Sequence, residues 1–151
     1  MARRRERPTA HQKRVVFERA RGCCEYCRSQ AMFAMQPFSI EHIIPQQQDG
    51  PNTLDNMALA CQGCNGHKYT RTTTTDPISG KQVPLFHPRK QRWHDHFAWN
   101  DDFTLVVGLT PIGRATVAAL HLNRDGLINL RRALYSIGEH PPSEGELVLS
   151  A

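Results

Sequence analysis

The stretch FSIEHIIPQQQDGPNTLDNMALACQGCNGHK, residues 38–68, decides how this chain folds. It opens with a β-type apolar run, residues 38–44, which carries an acid–histidine pair and is closed by a proline. A turn-rich loop, residues 46–55, follows, and residues 57–60 can return as a second strand. Residues 62–69 can then form a short helix. This order predicts a β-hairpin followed by a helix, a ββα unit.

Two CxxC pairs frame this unit, one before the hairpin and one at the start of its helix. The chain has five cysteines, and an odd number without a secretion signal argues against a disulfide framework. The turn within each CxxC brings two sulfurs onto one metal ion, about 2.3 Å from zinc. The sequence therefore predicts a structural Zn²⁺ bound by the thiolates of Cys24, Cys27, Cys61 and Cys64. Cys23 could pair with Cys27 in a different ligand register, but the CxxC spacing favours Cys24 and leaves Cys23 as a small buried apolar residue.

The charge of the chain favours a polyanionic partner. The formal net charge is +5 over 151 residues, and arginines concentrate near the N-terminus. Nucleic acid or an anionic membrane surface would suit this excess. No apolar run approaches the roughly 20 residues that a membrane-spanning helix needs, and no apolar signal segment follows the N-terminal arginines. We expect a cytoplasmic protein without a membrane partner.

The order of the motifs is similar to that of a known family. CxxC, then Glu-His-Ile-x-Pro, then Leu-x-Asn-x-x-x-x-Cys, then CxxCNxxK resembles the HNH endonuclease family, whose ββα-metal fold cuts nucleic acid with one divalent ion. The resemblance covers under half of the chain and rests on Cys24, Cys27, Glu41, His42, Ile43, Pro45, Leu54, Asn56, Cys61, Cys64, Asn65 and Lys68. We expect an α+β protein with a zinc-stapled ββα-metal (His-Me finger) core, a flanking N-terminal helix and a C-terminal helical extension.

Phosphodiester hydrolysis needs an activated water and neutralisation of charge on the phosphate. An imidazole can take a proton from water at neutral pH, and a divalent ion can act as a Lewis acid. The resemblance implies that His42 is the general base and that Glu41 and Asn65 hold a catalytic Mg²⁺ or Mn²⁺, with His67 a rival ligand. Neighbouring residues of a strand point to opposite faces, so Glu41 and His42 share a site only if the strand ends or is distorted there.

Two further roles follow from the resemblance. Asn56 would brace the loop and help orient the base, and Lys68 would contact the phosphate. The sequence departs from the family where Glu41 replaces the commoner Asp and where Asn65 replaces the His that closes the family's name. Both departures keep an oxygen ligand, which suits Mg²⁺ or Mn²⁺.

The rest of the chain frames this unit. We expect a disordered basic arm over residues 1–8, a nuclease domain with its N-terminal helix over 9–72, an extension of a strand and two helices packed on the core over 73–140, and a tail over 141–151. The N-terminal helix is predicted to begin after Thr9 as its N-cap and to end with Gly22 at C′. The predicted strand covers residues 103–107, and Thr110 with Pro111 is predicted to open the helix that follows. The extension resembles that of small bacterial stand-alone HNH proteins, which favours a complete protein.

Basic and aromatic residues interleave over residues 87–99. The basic side chains could grip phosphates while Trp93 or Trp99 stacks on a base or sugar. The alternative, that the tryptophans pack on the ββα unit, is favoured. His94 and His96 could suggest a second metal site, but they lack a partner pair.

These observations predict a metal-dependent endonuclease or nickase that hydrolyses DNA. Its partner would be double-stranded DNA with weak or no sequence specificity, and the protein would be a monomer or homodimer. The alternative is a zinc-stabilised nucleic-acid-binding module without catalysis. An RNA nuclease is a further alternative, since nothing in the sequence selects for or against a 2′-hydroxyl. His42 discriminates between catalysis and binding, because a binding module has no need of a base beside a carboxylate.

Overall fold

Helices and short strands alternate along the chain in an α+β fold, as predicted. The computed structural model describes residues 5–143, so residues 1–4 of the predicted basic arm and residues 144–151 of the predicted tail lie outside the described residues. The helices are α1 (Ala10–Arg19), α2 (Gln62–Lys68), α3 (Trp93–His96), α4 (Pro111–Leu120) and α5 (Asp125–Ser136). The strands are β1 (Ser39–His42), β2 (Met57–Ala60), β3 (Thr73–Thr75), β4 (Gln82–Pro84), β5 (Phe97–Trp99) and β6 (Val106–Gly108). Within residues 5–143 the strands form three two-stranded antiparallel sheets, in which β1 pairs with β2, β3 with β4 and β5 with β6.

The predicted ββα unit consists of β1, β2 and α2. The β1–β2 register places Ser39 opposite Ala60 and His42 opposite Met57. β2 is buried along its whole length. Cys61 caps α2 immediately after β2, so the second CxxC lies where the hairpin meets the helix.

The first strand is shorter than the apolar run over residues 38–44 from which it was predicted. Beyond His42, Asn56 takes the backbone hydrogen bonds that a longer strand would make with a partner strand. The backbone N–H of Ile43 donates to the backbone oxygen of Asn56 at 2.8 Å. The N–H of Ile44 donates to Oδ1 of the same asparagine at 2.9 Å. The strand therefore ends at the histidine, and the chain turns into the loop that follows.

α1 begins where the sequence predicts and ends one residue differently. Thr9 caps its first turn, and the side chain of Gln12 accepts from the Thr9 backbone N–H in a capping box. The prediction of Gly22 at C′ is wrong, because Arg21 takes that position with φ 54°. Gly22 follows with φ 67° and donates to the oxygen of Phe17, as in a Schellman motif. A Cβ at Gly22 would lie 3.1 Å from the Phe17 ring.

The second half of the chain packs on the ββα unit through a continuous apolar core. Tyr26 and Ala58 from the first half contact a cluster that includes Phe86, Phe97 and Leu120 from the second. Trp93 joins this cluster at 3% exposure, and its indole N–H donates to the backbone oxygen of Tyr26 at 2.9 Å. The packing interpretation is therefore confirmed for Trp93. No helix within residues 5–143 is long and apolar enough to cross a membrane.

The strand predicted over residues 103–107 is wrong at its start, since β6 begins at Val106. The side-chain oxygen of Asn100 accepts from the backbone N–H groups of Thr104 and Leu105, both at 2.9 Å. Phe103 has φ 61° in the same turn. The turn therefore uses the amides that a longer strand would need.

Candidate active site

Four buried cysteine sulfurs meet between the start of α2 and the loop that follows α1. The sulfurs of Cys24, Cys27, Cys61 and Cys64 lie within 4.8 Å of one another. Those of Cys27 and Cys61 are 3.7 Å apart, which matches the edge of about 3.8 Å of a tetrahedron with 2.3 Å zinc–sulfur bonds. Cys23 is not in this cluster, which agrees with the choice of Cys24 over Cys23 as the predicted partner of Cys27. Within residues 5–143, no other group of three or more His, Cys, Asp or Glu side chains is close enough to hold a metal.

An arginine from the second half of the chain donates to this cluster. Arg124 Nη2 lies 3.3 Å from Cys61 Sγ, and Nη1 lies 3.7 Å from Cys64 Sγ. The guanidinium approaches over Gly63, where a Cβ would lie 2.4 Å from Nη2. Four thiolates around Zn²⁺ carry an excess of negative charge. With zinc bound, Arg124 would offset part of this charge through its contacts with Cys61 and Cys64.

A wide cleft of about 1320 Å³ lies beside β1 and α2 of the ββα unit. Glu41 and His42 both line it although they are neighbours on a strand, which is possible because β1 ends at His42. Asn65 lines the same cleft from α2. The remaining lining residues are Arg5, Glu6, Arg7, Pro8, Ile40, Pro45, Gln46, Asn52, Gly66, Tyr69 and Thr70. The structure thus brings three of the predicted active-site residues to one surface.

His42 is held by two amide side chains. Asn52 Oδ1 lies 2.8 Å from His42 Nε2, and Asn52 Nδ2 donates to the backbone oxygen of Arg7 at 3.5 Å. An amide oxygen can only accept, so this contact is a hydrogen bond when the ring carries its proton on Nε2. Gln46 Nε2 lies 3.3 Å from His42 Nδ1 and 3.2 Å from His42 Nε2, so this amide lies against both ring nitrogens. The same Gln46 amide exchanges two hydrogen bonds, 2.8 and 2.7 Å, with the backbone of Glu6, so the predicted arm touches the site.

Glu41 is 6% exposed and has a partner on each carboxylate oxygen. The hydroxyl of Tyr26 donates to Oε1, and Lys68 Nζ lies 3.4 Å from Oε2. Burial raises the pKa of the Glu41 carboxyl, and the ammonium of Lys68 opposes that rise. Burial also raises the pKa of the Tyr26 hydroxyl, with the charge of Glu41 adding to the effect.

Lys68 is more deeply buried than we expect of a side chain that contacts the phosphate. It is 1% exposed, and its Nζ donates to the backbone oxygen of Ile43 at 2.9 Å. Lys68 is also not among the residues that line the cleft. Holding Glu41 and the end of β1 therefore fits its position better than the predicted contact with a phosphate.

Asn56 is placed to brace the loop between β1 and β2. Its Nδ2 donates to the backbone oxygens of Ile44 at 3.0 Å and Pro51 at 2.9 Å. Its Oδ1 accepts from the Ile44 N–H. These bonds join the two ends of the loop that contains Gln46 and Asn52, so the position agrees with the predicted bracing role.

His67, the rival metal ligand, lies beside another histidine. Its exposed ring is 4.4 Å from that of His121, measured between centroids, and it is not part of the cleft lining. Among the two candidates on α2, only Asn65 faces the cleft together with Glu41.

Several contributing residues were missed by the sequence analysis. Tyr26 lies inside the first CxxC, and Asn52 and Gln46 lie in the loop after β1, so their positions in the motif were visible but their contacts were not. Arg124 gave no signal, because it is far from the cysteines in the sequence.

A ββα unit joined by four cysteines, with an acid–histidine pair at the end of its first strand, defines a zinc-stabilised ββα-metal domain. The family model for HNH endonuclease matches residues 24–71, so this segment of the chain is similar to an HNH domain. A search of curated proteins returned no match. The matched segment contains the four cysteines as well as Glu41, His42, Asn56 and Asn65. Such a domain indicates nuclease-type activity on nucleic acid.

Proposed function

We propose that this protein is a metal-dependent endonuclease that hydrolyses phosphodiester bonds of DNA. The observation that carries the proposal is that Glu41, His42 and Asn65 line one open cleft beside the four-cysteine cluster. A cysteine-stabilised module that only binds nucleic acid needs neither an oriented imidazole nor a buried carboxylate at that surface.

His42 is the general base in this proposal, and Nδ1 is the atom that takes the proton. In this proposal the neutral ring carries its proton on Nε2 and donates it to Asn52 Oδ1, which leaves the lone pair on Nδ1. The attacking water would replace Gln46 as the partner of Nδ1. The proton then resides on a ring that Asn52 keeps in a fixed orientation through the reaction.

Glu41 and Asn65 supply the oxygen ligands for a catalytic Mg²⁺ or Mn²⁺. The donor set fits, because a carboxylate and an amide oxygen are hard ligands and each Glu41 oxygen keeps lone-pair capacity beyond its present partner. The bound ion would supply Lewis-acid stabilisation of the phosphate and of the leaving 3′ oxygen. Lys68 and Tyr26 keep the Glu41 carboxylate in place for that role.

Double-stranded DNA is the substrate we favour, cut or nicked to leave 5′-phosphate and 3′-hydroxyl ends. Arg5 and Arg7 line the cleft and can contact phosphates on either side of the cut. Phosphate contacts of this kind carry no sequence information, so weak or absent specificity is expected.

The test is conversion of supercoiled plasmid to nicked and linear forms by zinc-loaded protein, with and without added Mg²⁺ or Mn²⁺. Omitting the metal is preferable to chelation, because a chelator also removes structural zinc. Cleavage only with added metal supports the proposal. Salt-sensitive binding without cleavage under any metal favours the alternative, a zinc-stabilised binding module.

A further inference from the structure

The backbone at Tyr69 adopts a conformation that favours glycine. Tyr69 follows the last residue of α2 with φ 52° and ψ −118°, and its N–H donates to the backbone oxygen of Asn65 at 3.0 Å. A Cβ makes this region costly for any residue except glycine. Non-glycine residues held in such conformations cluster at functional sites.

The tyrosine side chain does not offset this cost by burial. It is 76% exposed, and it lines the cleft that contains His42 and Asn65. A large aromatic side chain that remains in water contributes little to folding. Folding alone would therefore favour glycine at this position.

Tyr69 lies close to the proposed reaction centre. Tyr69 and Asn65 line the same cleft, and the Tyr69 N–H donates to the backbone oxygen of Asn65 at 3.0 Å, so the two residues are in direct contact. One nucleotide of a DNA strand rises about 3.4 Å. A strand whose phosphate reaches Asn65 therefore passes Tyr69 within one or two nucleotides.

We propose that Tyr69 is a substrate-positioning residue whose ring stacks on an unpaired nucleobase next to the phosphate that is cut. The assignment rests on the proposed nuclease function for the position of that phosphate. A base inside a duplex is already stacked on both faces, so within double-stranded DNA the ring selects sites where a base is unpaired or displaced. Arg5 and Arg7 line the same cleft and supply the charge that holds the backbone.

Tyr69→Gly distinguishes this role from a structural one, because the variant should lose affinity for DNA without losing stability. Removing the Cβ relieves the backbone, so the thermal midpoint of the zinc-loaded protein should stay the same or rise. Affinity for a labelled single-stranded oligonucleotide, measured without added divalent metal, should fall roughly tenfold. Affinity for a blunt duplex should fall less. Tyr69→Phe keeps the ring and should bind as wild type does.

Tyr135→Ala is the matched control, since Tyr135 is also exposed but lies on α5 and is not part of the cleft lining. Its affinity for both oligonucleotides should be unchanged. Wild-type affinity in Tyr69→Gly, an equal loss for both oligonucleotides, or a lower thermal midpoint would overturn the assignment. The binding readout is independent of cleavage. A wild type that binds single strands through Tyr69 but never cuts would therefore refute only the proposed nuclease function.

Discussion

The side-chain oxygen of Asn52 lies 2.8 Å from Nε2 of His42, across the loop that joins β1 to β2. With the ring proton on Nε2, this contact leaves the lone pair on Nδ1, the nitrogen that we propose as the base. Asn52 has no place in the motif that identifies the domain, yet it contacts the histidine that we propose as the base.

Asn52→Ala should lower kcat by up to about 100-fold, because the ring loses its orientation while the cleft keeps its shape. The free energy of unfolding should change by about 1 kcal/mol. Asn52→Asp should move the acidic limb of the pH–rate profile to higher pH, because a carboxylate favours the protonated imidazole. Single-turnover cleavage rates between pH 5 and 9 would measure both effects. A kcat unchanged in Asn52→Ala would contradict the orienting role.

Asn56 is the second asparagine of the loop, and its loss should act on stability first. Asn56→Ala leaves the N–H and oxygen of Ile44 and the oxygen of Pro51 without their partner. The free energy of unfolding should fall by roughly 3 kcal/mol. Asn56→Asp keeps the acceptor but sets a charge against two carbonyl oxygens, so it should be at least as destabilising. Urea unfolding of zinc-loaded protein checks this, and losses below about 0.5 kcal/mol would show that Asn56 braces nothing.

Separate substitution of Cys23 and Cys24 tests which of these two adjacent cysteines binds the metal. Cys24→Ser should lose zinc and with it most of the folded state, because binding of structural zinc contributes about 10–16 kcal/mol in small domains. Cys23→Ser should keep one zinc per chain and shift stability by about 1 kcal/mol. Zinc content by elemental analysis and far-UV circular dichroism measure the two. Zinc lost from Cys23→Ser and kept in Cys24→Ser would reverse the ligand register.

Two glycines of α2 test the contribution of Arg124 to the zinc site. A Cβ at Gly63 would lie 2.4 Å from Arg124 Nη2, whereas a Cβ at Gly66 would meet nothing within 4 Å. Gly66→Ala should therefore stabilise the helix by about 0.5–1 kcal/mol. Gly63→Ala should displace the guanidinium and weaken zinc binding by about 10- to 100-fold, as Arg124→Gln should. Competition with a chromophoric chelator measures that affinity. Equal zinc affinity in the two glycine variants would exclude a role for Arg124.

The parts of the fold that local chemistry determines could be predicted from the sequence. The CxxC spacing, the Thr9 cap and the turn residues before β2 each act over a few neighbouring residues, and the structure places each as predicted. Thr110 likewise caps α4, with a proline at the first helical position. The predicted strand over residues 103–107 was wrong because a single side chain, that of Asn100, takes two amides.

The contacts that complete the site could not be predicted, because they depend on tertiary packing. Gln46 contacts both His42, four residues before it, and the backbone of Glu6, 40 residues before it. Lys68 resembles an exposed basic residue of a short helix but is buried against Glu41. Arg124 meets the cysteines only because the second half of the chain folds back on the first. Hydrophobic periodicity and motif spacing do not indicate such contacts.

The most direct test of His42 as the general base is the rate of plasmid cleavage by His42→Ala, compared with wild type at equal zinc content and saturating Mg²⁺ or Mn²⁺. Thermal unfolding of both proteins would establish that the variant is folded. We predict a loss of about 100-fold or more, because the variant binds DNA but has no group to take the proton from water. Cleavage by the folded variant at the wild-type rate would contradict the assignment of His42 as the base.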